Sequence, residues 1–294
     1  MQQPIVTHFF DEATNTFSYV VKDRESKACA IIDSVLDFDY AAGRTDVRSA
    51  DDIIRYVQDN GLSVEWILET HVHADHLSAA PYLQEQLGGK TGIGARIIEV
   101  QEIFGKAFNA GTEFARDGRK FGQLFEEGDR FYIGGLEGRV LHTPGHTPAC
   151  LTYVIDDAAF VGDTLFAPDA GTARCDFPGG DAEVLYRSVQ KVLALPAETR
   201  IFLCHDYKAP GRDEYQHQTT VAEQRAQNIH VREGVEQEEF VRLRTERDAT
   251  LNMPRLILPS VQVNMRAGEF PEADANGQVY LKVPINIRSR YESC

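Results

Sequence analysis

Three histidines and an aspartate fall within six residues: His71, His73, Asp75 and His76, in the stretch LETHVHADHLS. The whole chain of 294 residues has only nine histidines, so clustering of this density marks a metal site rather than a polar surface turn. Neutral imidazole and carboxylate are the donors that Zn²⁺, Fe²⁺ or Mn²⁺ accept. An apolar run at 64–68 precedes the cluster and reads as a buried strand, while 77–87 reads as a helix. The four side chains then sit on a strand-to-helix turn, where they fan around a point instead of alternating between two faces. His146 (in TPGHT), Asp163 (after Gly162) and His205 also close strand-like runs, as His71 does. One shared site along a sheet edge requires such an arrangement. His142, near His146, reads as a structural or surface histidine.

The elements that must position these residues follow from periodicity and turn chemistry. Residues 5–10, 17–21 and 28–32 form three β-prone runs, separated by charged turns and ending at Asp33. A polar loop follows, and Ser49 with Asp52 resembles a capping box for a helix over 51–60, stopped by Gly61. Residues 95–122 show mixed periodicity. Strands are expected at 130–133, 139–141, 151–155, 158–161 and 200–204. A loop at 164–180, rich in Gly, Pro and Asp, has the length of a functional loop. Asp181 caps a helix over 181–195. Helices are also expected over 218–228 and 236–250, the second charged enough to read as a solvated face. Strands feed helices in two successive halves. The expected fold is therefore α/β, with two mixed sheets face to face, helices outside and the site where strands terminate.

Composition bounds the rest. The chain is long enough for one large domain, 1–294, with a C-terminal extension from about residue 230. A formal charge of −15 disfavours nucleic acid and anionic membranes as partners, and an anionic substrate would need a local basic pocket. Five scattered cysteines without a CxxC pair suggest reduced thiols. With no signal-like N-terminus and no run of membrane-spanning length, a cytoplasmic protein is expected.

The pattern H-x-H-x-D-H at His71 to His76, followed by His146, Asp163 and His205, resembles the metallo-β-lactamase superfamily, an αββα sandwich. THVHADHLSAAPYL, the run Ala173-Arg174-Cys175-Asp176-Phe177, His205-Asp206-Tyr207 and the tail LNMPRLILPSVQVNMRAG are similar to its persulfide dioxygenase branch. The stretch within 167–172 is somewhat longer than in the human-type pattern. That resemblance implies one ferrous ion per chain, held by His71, His146 and Asp163. It makes His73, Asp75, His76 and His205 supporting partners that orient ligands or bind water. Two histidines and one carboxylate on one face of octahedral iron leave three adjacent positions open, room for O₂ and a sulfur side by side.

The branch also implies a reaction: glutathione persulfide oxidised by O₂ and water to sulfite and glutathione. Arg174 and Tyr207 match family positions near the iron and are expected to touch substrate, with Lys208, Arg212 and Arg225 as further cations. Cys175 lacks an adjacent His–acid pair and reads as a spectator thiol. Two other functions use the same residues: a glyoxalase II-like thioester hydrolase with two metals, and a non-catalytic iron-dependent persulfide sensor. The apolar, Pro-containing tail could dock on its own domain or on the second subunit of a homodimer.

Overall fold

The structure is a computed structural model that describes residues 3–285. Its first sheet begins as an antiparallel meander, β1 (Ile5–Asp11), β2 (Thr16–Lys22) and β3 (Ala28–Ile32). A small hairpin follows, β4 (Val35–Asp39) and β5 (Arg44–Asp46), then α1 (Arg48–Asp59). The first sheet continues in parallel through β6 (Ser63–Leu68), β8 (Lys90–Gly94) and β9 (Gln123–Phe125). Between these lie β7 (Leu77–Ser78), α2 (Ala80–Leu87) and α3 (Ile97–Ala107).

The second sheet runs in spatial order through β10 (Arg130–Ile133), β11 (Leu136–His142), β12 (Leu151–Ile155), β13 (Ala158–Phe160), β14 (Arg200–Phe202) and β15 (Gln218–Thr220). Only β13 and β14 pair in parallel there, and the crossover between them is α4 (Ala182–Leu193). Three further helices follow, α5 (Val221–Gln227), α6 (Gln237–Asp248) and α7 (Ile257–Asn264).

The period of two along each strand decides which face packs where. Tyr19, Val21, Ala30 and Ile32 point between the sheets, against Phe131, Val140, Tyr153, Phe160 and Phe202 of the second sheet. Their alternates Val20, Cys29 and Ile31 meet Ile53, Val57 and Leu83 of α1 and α2. On the opposite side Val154, Ala159 and Ile201 meet Leu185 and Val189 of α4, with Phe240 of α6. Sheets are thus covered by helices on both outer faces, as their two apolar faces demand. The two sheets also join at one edge, where Phe17 N–H donates to Cys204 O at 2.8 Å and Thr16 bridges His205.

Four local expectations are corrected. Residues 34–46 are a hairpin rather than a loop, because β4 pairs β7 on one side and β5 on the other. Ser49 does not cap α1; it lies inside the helix, and its N–H and hydroxyl both donate to Asp37 at 2.9 Å. The expected helices at 77–87 and 218–228 each begin with a short strand, and Pro81 and the Thr220–Glu223 capping box mark where helix begins. The last correction concerns α6, whose outer side is solvated as its charge implies but whose inner side is not. Phe240, Arg244 and Asp248, one turn apart, are all buried, and Arg244 Nη2 lies 2.6 Å from Asp248 Oδ1. Polarity along the sequence concealed a self-neutralising inward face.

Residues 95–122 cover a flank: Ile97 and Val100 of α3 pack with Val72, Phe177 and Val261 of α7. No helix among the described residues is long and apolar enough to cross a membrane.

Candidate metal centre

Each side chain of the His/Asp constellation is delivered by the end of a strand. The chain leaves β6 at Leu68 and turns through Thr70 to His71. Asp33 closes β3 beside it in a left-handed backbone conformation (φ 52°), uncommon but tolerated for Asp, that aims its carboxylate across to Thr70 and His73. After β11, the turn Pro144-Gly145 presents His146. Gly145 has φ 131°, and a Cβ there would lie 2.3 Å from Leu185 Cα, so only glycine lets this turn dock on α4. After β13, Gly162 (φ 50°) sits so close to Thr70 that a Cβ would approach its hydroxyl to 2.5 Å. Asp163 follows at once. After β14, the chain reaches His205.

Three of these residues converge: ligand atoms of His71, His146 and Asp163 all lie within 4.8 Å of one another. His71 Nε2 is 3.9 Å and His146 Nε2 3.5 Å from Asp163 Oδ2. All three are buried. Both imidazoles are held in the tautomer that leaves Nε2 bare. Thr70 spends its one hydroxyl proton on Asp33 Oδ2 at 2.9 Å, so it must accept from His71 Nδ1 at 3.0 Å. His146 Nδ1 donates to the Arg174 carbonyl at 2.7 Å. Burial, reinforced by the surrounding histidines, drives the His71 pKa well below its ordinary value, so its imidazole is neutral.

The other four residues form an adjoining group, His73, Asp75, His76 and His205. His73 turns its Nε2 into a buried acidic niche, 3.1 Å from Asp33 Oδ1 and 3.2 Å from Glu69 Oε2. Burial opposes charge on His73, but the two carboxylates outweigh it and hold its pKa well above the usual value. His205 Nε2 lies 3.2 Å from Asp75 Oδ2 and 3.3 Å from Asp163 Oδ1, bridging the two groups. His73 Nδ1, His76 Nε2, His205 Nε2 and Asp163 Oδ1 are buried without a hydrogen-bond partner among the described residues. Unpartnered ring-nitrogen and carboxylate lone pairs at this density are what a bound cation would satisfy, and a ligand set of two imidazoles and one carboxylate suits ferrous iron.

A cavity of about 950 Å³ opens onto His146 and Asp163. Arg174, Tyr207 and Lys208 line it. The Arg174 guanidinium, however, grips Asp176 through Nε at 2.6 Å and Nη2 at 2.7 Å, and its Nη1 donates to Asn252 O. The structure gives the other two expected cations different partners. Arg225 pairs with Glu233, and Arg212 with Asp169 and Asp206; neither lines the cavity. In their place stand arginines that the sequence did not single out. Arg44, Arg247 and Arg255 line the wall and make no ion pair among the described residues. His230 lines it as well, and its Nδ1 accepts the Thr172 N–H at 3.1 Å. Burial and the neighbouring Asp248 push the Cys175 thiol up to about 12.

A model of the "Metallo-beta-lactamase superfamily" matches residues 11–205, the span that carries every one of these ligand-type residues. The chain belongs to that superfamily. Among its relatives, a "Probable metallo-hydrolase" of Burkholderia pseudomallei is 57% identical, covering 96% of this chain and 99% of the relative. "Glyoxylase B2" of Dictyostelium discoideum is 50% identical over 92% of this chain and 93% of its own. The human mitochondrial "Persulfide dioxygenase ETHE1" is 30% identical over 90% and 89%. Among solved structures, "ETHE1 from Myxococcus xanthus" superposes with a TM-score of 0.71 at 29% identity, covering 90% of this chain and all of that one. The superfamily fold is that of two mixed sheets between helices, as found here.

Proposed function

We propose that the protein is a mononuclear non-heme iron persulfide dioxygenase. Glutathione persulfide, O₂ and water would give glutathione, sulfite and two protons, the sulfane sulfur being oxidised and O₂ reduced. The observation that carries this reading is the convergence of His71, His146 and Asp163, with both Nδ1 protons committed elsewhere so that both Nε2 atoms face the Asp163 carboxylate. The similarity to the human and Myxococcus xanthus proteins, covering nine-tenths of the chain, supports it.

Iron bound there would supply open coordination positions and one-electron chemistry towards O₂. The chain does the rest. Thr70 and the Arg174 carbonyl hold the two imidazoles with Nε2 inward. Arg44, Arg247 and Arg255 stand on a wall that also carries aspartates such as Asp37, Asp39 and Asp46, and would offer unpaired cations to the two carboxylates of a tripeptide. Phe166, Phe177 and Leu256 furnish apolar wall that excludes water around the sulfur. The test is elemental analysis of anaerobically purified protein combined with an oxygen-electrode assay. About one iron per chain and O₂ uptake with glutathione persulfide are expected.

A second reading, a dinuclear thioester hydrolase, is favoured by the orphaned His73 Nδ1, His76 Nε2 and His205 Nε2 beside Asp75. Two zinc-like ions per chain and thioester cleavage without O₂ uptake would establish it instead. Iron binding without turnover would indicate a sensor.

A further inference from the structure

The stretch at 167–172 begins four residues after Asp163, and its place in the fold gives it a task. On one side it is fastened to the segment after α5: Ile229 N–H donates to Pro168 O at 2.9 Å and Asn228 Nδ2 to Gly171 O at 3.1 Å. On the other side stands the loop 206–216, which carries Tyr207 and Lys208 over the cavity. One guanidinium joins the two. Arg212 Nε donates to Asp169 Oδ2 at 2.8 Å and Nη2 to Asp169 Oδ1 at 3.1 Å, while the same Nη2 reaches Asp206 Oδ1 at 2.7 Å. Its Nη1 donates to Asp206 Oδ2 and, at 2.7 Å, to Glu214 O.

Asp206 is wholly buried, accepts the backbone N–H of Lys208 at 3.1 Å and of Gln216 at 2.7 Å, and sits between His205 and Tyr207 in the chain. Tyr207, half exposed, stacks on His205 and meets Phe166 edge-on, at ring separations of 6.0 and 6.1 Å. The same loop therefore holds both the ring that covers the centre and the carboxylate that Arg212 grips.

We propose that Arg212 is a positioning residue that straps the 167–172 stretch to the Tyr207 loop, and so sets the width of the cavity mouth above His71, His146 and Asp163. It touches no substrate; it acts through Asp169 and Asp206. A rigid planar fork shared between two carboxylates suits arginine, and the point charge of lysine cannot span both. The kinetic half of the argument rests on the function proposed above; the structural half does not.

The test uses the full-length iron-loaded enzyme and the variants R212K, D169N and R212K/D169N. Hydrogen exchange should show protection lost together in 166–173 and 206–216 in R212K, with iron content unchanged. KM for glutathione persulfide should rise about tenfold while kcat stays within about threefold, and the double variant should be no worse than R212K, since both changes cut one strap. Unchanged exchange at 166–173 in R212K overturns the inference whatever the activity. So does a fall in kcat alone with KM preserved. A wild-type enzyme that consumes no O₂ with glutathione persulfide overturns the proposed function and leaves the exchange result to decide the strap.

Discussion

The Thr70 hydroxyl accepts the Nδ1 proton of His71 at 3.0 Å because its own proton is already given to Asp33. This relay fixes which imidazole nitrogen faces the centre. Thr70→Val keeps the shape and removes the acceptor, so metal affinity should fall about 10–100-fold with the fold intact, the range seen when a ligand's outer partner is lost. Competition with a chelator, read alongside circular dichroism, measures it. Unaltered affinity would mean that packing alone orients His71.

Arg247 and Arg255 stand on the cavity wall without a counter-charge among the described residues. Removing both (R247A/R255A) should raise KM for glutathione persulfide roughly tenfold, as expected if each exposed cation contributes about 0.7 kcal/mol to a substrate carboxylate. Iron content and kcat should not change. Arg225→Ala, which breaks only a surface pair with Glu233, should leave all three parameters within about twofold.

Arg244 and Asp248 are both buried, and Asp248 also accepts the Cys175 N–H at 2.9 Å. Arg244→Ala leaves a buried carboxylate unpaired and should cost about 3–5 kcal/mol, read as a lower urea midpoint. The site would be disturbed too, since Arg244 also donates to the Thr172 carbonyl in the strapped segment.

His217 stacks on His8 with ring centroids 3.9 Å apart. Burial, with His8 adding to it, lowers the His217 pKa to about 4. The unfolded chain therefore takes up this proton first as pH falls. The stability that neutral His217 contributes is fully present above pH 6.5 and is lost progressively between there and about pH 4. His217→Phe keeps the stack and removes the titration, so its urea midpoint should fall less steeply across that window than the wild type's. Equal slopes would place the acid sensitivity elsewhere.

Much of the centre was legible because its signals are local. The density of His71 to His76 and the placement of His146, Asp163 and His205 after β-prone runs need no tertiary knowledge. The β-prone runs, feeding helices in two successive halves, sufficed for the two sheets. What stayed hidden depends on contacts between distant residues. The hairpin of β4 and β5 is anchored by the pairing of β4 with the distant β7. Arg244 looked solvated because its partner, Asp248, is polar as well. Arg44, Arg247 and Arg255 gain meaning only when the fold gathers them round one cavity, and Arg212 is indistinguishable from a substrate cation until Asp169 and Asp206 are seen on either side of it. Thr70 escaped notice between louder neighbours, although Asp33 at the end of β3 was visible.

The seam where Thr16 and Phe17 meet His205 and Cys204 has a consequence for biosynthesis. The partners are almost two hundred positions apart, so this closure belongs to the slow, high-contact-order part of folding. A growing chain on the ribosome can shape its first sheet early and holds His71, His146 and Asp163 before β14 is made, yet His205 joins them only when that strand closes the edge. A stalled or truncated chain lacking β14 would therefore keep His71, His146 and Asp163 but leave Asp75 and Asp163 without the His205 Nε2 that lies between them.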